Sequence, residues 1–307
     1  MHRQLTVLIF LFALASAVFA SEKAEFNVAT YNIRMQNDND SLAGNVWGTR
    51  FPVIANLARF HEFDIFGTQE GFKNQLEDIL TLLPGYAYTG HGREDGKDRG
   101  EHAAIFYRTD LFELIDAGDF WLSETPDVAG SIGWDAALPR VCSWAQFRHI
   151  PSGQQFMFFN LHMDHIGKQA RIESAGLIRS KIDELGRGLP AFVTGDFNVD
   201  QTHQSYGTFT SDGALRDAFT AAEFVYAPNG TFNSYRTNGF TTSRIDHIFV
   251  TPGIEVEKYG VLTDTYRTPE DAATFDPDAA PAEIKMHTFT ARTPSDHFPV
   301  LIRIKLP

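Results

Sequence analysis

The 307-residue sequence predicts an α/β protein built from two packed, mixed β-sheets flanked by helices. Three observations lead there. Short apolar runs rich in β-formers recur along the chain, each bounded by turn-forming residues. Between them lie segments whose apolar residues follow helical spacing and whose opposite face is charged. Hairpin-like strands between Ala103 and Phe120 argue that the sheets are mixed and not purely parallel.

In chain order, the opening segment sets Arg3 before an apolar run from Leu5 to Leu14 and closes on small residues, with Val18 and Ala20 where a signal peptidase reads. The run is shorter than the roughly 20 apolar residues of a spanning helix. It predicts a signal peptide over residues 1–20, cleaved after Ala20, and a secreted or periplasmic mature chain of residues 21–307 with no transmembrane segment.

Buried strands are expected at Phe26–Ile33, Phe63–Thr68, Ala103–Tyr107, Gln155–Leu161, Ala191–Thr194, Ile245–Val250 and Phe298–Ile304. Covering helices are expected at Trp47–Phe60, Phe72–Leu83 and Lys168–Leu185. Gln36–Val46, rich in Asn, Asp and Gly, and Thr263–Pro294, with several Pro and little periodicity, read as surface loops. The chain has no tandem period, low-complexity linker or composition shift, so one domain is expected.

Cys142 is the only cysteine, which excludes an intramolecular disulfide and predicts a buried, inert thiol. The net charge of −13 disfavours a polyanion such as nucleic acid as partner, although a local basic groove or a bound cation can reverse the field at a site.

Polar clusters stand at the ends of the apolar strands: Thr30-Tyr31-Asn32, Gln69-Glu70, Asn160-Leu161-His162, Gly195-Asp196-Phe197-Asn198 and Ser295-Asp296-His297. Arg244-Ile245-Asp246-His247 opens another strand. Singly, each has a dull explanation, because Asp and Asn favour turns and a lone His is usually a satisfied surface or core residue. Jointly they supply oxygen ligands for a hard cation, a base for water and donors for phosphoryl oxygens, which is what phosphate hydrolysis needs.

The ordered motifs resemble those of the endonuclease/exonuclease/phosphatase superfamily over nearly the whole mature chain. The resemblance implies a pancreatic-DNase-like fold, a four-layer α/β/β/α sandwich, and a Mg²⁺-dependent phosphoesterase, with Mn²⁺ as an alternative cation. It implies Asn32, Glu70 and Asp296 as metal ligands, and His162, Asp196, Asn198, Asp246 and His297 as catalytic residues. Asp246 would support His297 as an Asp–His pair. Trp47-Gly-Thr-Arg50 and the stretch Gly100–Tyr107 are similar to the deadenylase/nocturnin-like branch, and a sphingomyelinase-like branch is comparable.

Arg140 is the expected substrate-binding residue, since an arginine clamps phosphate by two parallel hydrogen bonds. Glu101 or His102 is expected to face the site from its strand, Arg171 reads as a helix-surface charge, and Trp121, Trp134 and Trp144 read as core or loop anchors. The expected function is a secreted phosphodiesterase using in-line attack of water, with Asp196 or His297 as base.

Three alternatives remain at this level. A secreted nuclease or sphingomyelinase-like enzyme of the same superfamily is one. Another is a zinc-dependent, metallo-β-lactamase-like hydrolase, because Asn160-Leu-His162-Met-Asp164-His165 lacks one histidine of that signature, although asparagine is a poor zinc ligand. The third is a non-catalytic module that binds a phosphate ligand.

Overall fold

The computed structural model describes residues 23–275 and 281–307. The leader expected over residues 1–20 lies outside the described residues. In chain order the first half runs β1 (Glu25–Asn32), α1 (Asp38–Leu42), α2 (Trp47–Phe60), β2 (Ile65–Gln69), α3 (Lys73–Thr81), β3 (Tyr86–Thr89), β4 (Ile105–Arg108), β5 (Phe112–Trp121), β6 (Val141–His149) and β7 (Gln155–His162). The second half runs α4 (Lys168–Gly186), β8 (Ala191–Asp196), α5 (Gln204–Thr210), β9 (Arg216–Asp217), α6 (Ala218–Ala221), β10 (Ala222–Tyr226), β11 (Asp246–Val250), β12 (Glu255–Val261), β13 (Tyr266–Phe275), β14 (Met286–Arg292) and β15 (Val300–Lys305).

Two mixed sheets pack face to face, ordered β10-β12-β15-β1-β2-β4-β3 and β5-β6-β7-β8-β11-β9. Strand alternation explains the layering. In β1, Phe26 and Val28 point between the sheets to meet Phe156 and Phe192, while Ala29 and Tyr31 point outward to Ile54 and Leu57 of α2. In β7 and β8, Phe159 and Val193 turn the other way and pack under Ala175, Ile178 and Ile182 of α4. The result is the expected helix–sheet–sheet–helix sandwich.

A polar staple joins the sheets beneath one end of the sandwich. Asn160 Nδ2 donates to the carbonyls of Thr68 (2.9 Å) and Ala104 (3.0 Å), and its Oδ1 accepts from Gln69 Nε2 (2.7 Å) and Thr194 Oγ1 (3.0 Å). Gly67 makes room for it, since a Cβ there would stand 2.1 Å from Asn160 Oδ1. Asn160 is therefore spent on the interior, which removes the first member of the zinc-type run.

Three sequence expectations are corrected. The strands between Ala103 and Phe120 do not form a hairpin: β4 pairs with β2 and β3, whereas β5 pairs with β6 in the other sheet. Arg108 is tied back to Asp64 (3.0 Å), and four residues later Phe112 enters the inter-sheet core, so the chain crosses layers instead of folding back. Thr263–Pro294 is not wholly irregular, because β13 and β14 form a two-stranded antiparallel ribbon. Met286 and Phe289 of that ribbon are exposed, so it carries no buried-face alternation to read. Gln36–Val46 also contains one helical turn, α1, capped by Asn37. Cys142 is free and buried, as expected. No helix among the described residues is long and apolar enough to cross a membrane.

Candidate active site

Sheet register gathers the polar clusters. Asn32 closes β1 and Glu70 follows β2, the two strands running parallel with Asn32 opposite Gln69. His162 closes β7 opposite Asp196, which closes β8; β11 runs antiparallel to β8, so its first residue, Asp246, stands opposite Asp196. Asp296 and His297 precede β15, which is antiparallel to β1 and so begins where β1 ends. Six strand termini thus meet at one end of the sandwich. Arg34 (φ 58°), Glu70 (φ 67°) and Asn198 (φ 49°) all adopt left-handed backbone there, a conformation costly for residues with a Cβ and concentrated at functional sites.

Asn32 is oriented unambiguously. Its Oδ1 accepts the backbone N–H of Arg34 (3.0 Å), so its NH₂ faces Glu70 Oε1 (3.0 Å) and Asp196 Oδ2 (3.0 Å). The amide therefore holds two carboxylates in place instead of turning its oxygen toward them. Glu70 Oε2 accepts from the Met35 N–H (3.2 Å), and Arg34 Nη1 lies 3.7 Å from it and 3.6 Å from Asp296 Oδ2.

Asp196 is buried, receiving the Asn198 N–H on Oδ1 (2.9 Å). Burial, then the charge of Asp246, pushes its carboxyl up to about 7. His297 Nδ1 lies 2.9 Å from Asp246 Oδ2 and its Nε2 3.7 Å from Asp196 Oδ2. Burial disfavours the imidazolium, but Asp246 and Asp196 outweigh it and hold His297 well above its ordinary value. His162 has the opposite fate: burial first, then the Arg140 and Arg93 charges, keep it neutral. Its Nε2 meets Asn198 Nδ2 (3.1 Å), so its proton sits on Nδ1, a buried atom without a hydrogen-bond partner 3.8 Å from Glu101 Oε2.

These side chains wall a cavity of about 430 Å³. Arg140 lines it as expected: Nε pairs with Asp164 (3.2 Å) and Nη2 meets His165 Nδ1 (2.9 Å), leaving the buried Nη1 without a partner. Of Glu101 and His102, it is Glu101 that reaches the cavity, held by Arg93 through 2.6 and 2.9 Å bonds. Burial pushes its carboxyl up to about 7 as well. Arg171 instead donates to the Asp164 carbonyl (3.0 Å), and Trp121 anchors a loop through Arg93 O (2.6 Å). Phe232 also faces the cavity, its ring edge-on to His297 at 5.1 Å.

Sequence reasoning passed over Arg34 and Phe232. An arginine just past a strand reads as a solvated turn residue, and no spacing signal marks either position. Among the described residues, two groups hold potential ligand atoms within 4.8 Å of one another: Glu70, His162 and Asp196, and Asp196, Asp246 and His297. Asp296 belongs to neither, although Arg34 ties it to Glu70. Buried carboxylates in this number, with no thiolate among them, match the donor chemistry of a hard divalent cation.

The endonuclease/exonuclease/phosphatase family model matches residues 29–297. A family protein from Bacteroides thetaiotaomicron is 56% identical, with a TM-score of 0.87 over 93% of this chain and 99% of its own. A mannosyl-6-phosphatase from B. thetaiotaomicron VPI-5482 is 57% identical, with a TM-score of 0.84 over 91% of this chain and 99% of its own. The human nocturnin catalytic domain shares the fold at 18% identity, with a TM-score of 0.63 over 91% of this chain and 93% of its own. No curated protein sequence matches.

Proposed function

The chain belongs to the endonuclease/exonuclease/phosphatase family of phosphoester hydrolases, and from that premise we propose that it is a Mg²⁺-dependent phosphomonoesterase acting on phosphorylated sugars. The observation that carries the reading is the convergence of Glu70, Asp196, Asn198, Asp296 and His297 on one cavity of small-molecule size, with Asn32 and Asp246 bonded to them from behind. The sequence expectation put diesters first. The monoester reading takes its place because a relative 57% identical is a mannosyl-6-phosphatase, whereas the likeness to nocturnin concerns the fold alone. Leu138 and Phe232 offer apolar faces beside the charged residues, suited to the C–H face of a sugar ring.

Glu70 and Asp296 would hold the cation, oriented by Asn32 and Arg34. When bound, the cation supplies charge neutralisation at the phosphoryl oxygens. Asp196, poised near neutral pH, accepts the proton of the attacking water. His297 is held protonated by Asp246, which supports a role as donor to the developing charge and leaves Asp196 as the base. Asn198, His162 and the free Nη1 of Arg140 line the same cavity and serve as phosphate contacts.

With Mg²⁺ present, 6-phosphorylated mannose should be hydrolysed at least tenfold faster than bis-nitrophenyl phosphate or single-stranded DNA. Faster cleavage of either diester would end the monoester reading. Chiral thiophosphate in labelled water should give inversion at phosphorus, because water attacks once; retention would imply a phosphoryl-enzyme and sink the mechanism.

Export is also proposed, on the composition of residues 1–20. The mature amino terminus should then be Ser21 by mass spectrometry, and an intact Met1 on the active protein would overturn it.

A further inference from the structure

Arg34 is held on every side. Its N–H is taken by Asn32, and its carbonyl accepts from Gln75 Nε2 (3.1 Å) and from Nη2 of the fully buried Arg50 (3.1 Å). Its side chain is steered as well: Nε donates to Asp40 Oδ2 (2.8 Å), and the same oxygen accepts from Asn37 Nδ2 (2.7 Å). The Asp40 N–H in turn donates to Asn37 Oδ1 (2.8 Å), so α1 exists as a one-turn mount for that carboxylate. Thus positioned, Nη1 stands at 3.7 and 3.6 Å from Glu70 and Asp296, beyond hydrogen-bond length but within strong electrostatic reach of both. The side chain is 29% exposed and faces the cavity.

A wandering surface arginine would not have its backbone and its Nε both fixed. We propose that the Arg34 guanidinium is the resident second cation of this site: beside the one divalent ion that Glu70 and Asp296 would hold, it supplies the further positive charge those carboxylates would otherwise draw from a second divalent ion, and it binds a non-bridging oxygen of the phosphate. The site then takes one divalent ion per chain. A planar fork suits this task, because one edge can face carboxylates and the other a phosphate. The inference rests on the phosphoesterase reading, but its test does not depend on turnover.

Mn²⁺ titrated into chelator-stripped protein, followed by electron paramagnetic resonance and calorimetry, should reach one bound ion per chain. Arg34→Ala should bind two, since the carboxylates lose their fixed counter-charge. Inorganic phosphate, titrated calorimetrically with Mg²⁺ present, should bind Arg34→Ala at least tenfold more weakly. Arg34→Lys keeps the charge without the fork and should return the count to one; it also shows that a change at residue 34 does not act by unfolding the protein. Two ions in the unaltered protein, one ion in Arg34→Ala, or unchanged phosphate affinity in that variant each overturns the assignment. A protein that hydrolysed no phosphate ester would refute the reading above while leaving these binding results to decide the role of Arg34.

Discussion

Asp196→Asn is expected to lower turnover by about 10²–10⁴-fold while making the cation-free protein more heat-resistant at pH 8. Both effects come from one buried carboxylate. Asp196 has Asn198 N–H and Asn32 NH₂ as donors but faces Asp246 nearby, and burial with that repulsion lifts it from 3.8 to about 7. The sign follows from linkage. A carboxyl whose folded value lies above its unfolded value binds protons more tightly in the native state, so its contribution to stability is greatest at low pH. It is lost as pH rises from about 4 to about 7. Above that window the charged Asp196 costs on the order of 4 kcal/mol, discounted by relaxation and by any bound cation.

Asparagine removes that charge and the base together, a trade of stability for activity common at functional sites. It also turns an NH₂ toward the NH₂ of Asn32, which trims the gain. Calorimetry in chelator should show the variant melting several degrees higher at pH 8, with the gain shrinking as pH falls and nearly gone at about pH 4. Equal shifts at about pH 4 and at pH 8 would refute the titration argument, and turnover within tenfold of the unaltered protein would remove Asp196 as base.

Chelation is expected to lower turnover by at least about 10³-fold, the range lost when an enzyme's main electrostatic stabiliser is removed, and Mg²⁺ or Mn²⁺ should restore it where Zn²⁺ does not. Glu70 turns both oxygens toward the cavity end of β2, held by Asn32 and Met35, with Asp296 linked to it through Arg34. Oxygen ligation favours hard cations. The soft alternatives are engaged elsewhere: Cys142 is sealed in the core under α4, His297 Nδ1 faces Asp246, and His162 Nε2 faces Asn198. Binding to the native state alone also adds stability, about 2.7 kcal/mol at a hundredfold excess over Kd, so Mg²⁺ should raise the melting temperature. Glu70→Gln should lose both responses. Activity that survives chelation, or that Zn²⁺ alone restores, would defeat the assignment of Glu70.

Much of the site was legible because His162 and Asp196 sit one and two positions beyond the runs Gln155–Leu161 and Ala191–Thr194, which are buried on both faces and therefore mostly apolar. A polar residue that ends such a run stands out. Glu101 was harder, because its partner Arg93 comes from a loop and only the closed sandwich brings the pair to the cavity wall behind His162. Asn160 misled in the other direction: it lies two residues before His162 and looks equally functional, yet its side chain turns between the sheets.

Local sequence was sufficient for the seven expected buried strands and three covering helices, though not for β6 or β12, and for the four-layer class and the chemical character of the cluster, because burial imposes periods of 2 and 3.6 that residue order records directly. Which strand pairs with which was decided only by the tertiary structure. The same three residues between Arg108 and Phe112 can turn a hairpin or cross between sheets, and the choice depends on where Phe112 finds a core to enter. Charge was decided there too: desolvation and Asp246 raise Asp196, while Asp246 and Asp196 raise His297 against desolvation, although Asp246 lies 50 residues or more from each along the chain and meets them only when six strand ends close on one cavity.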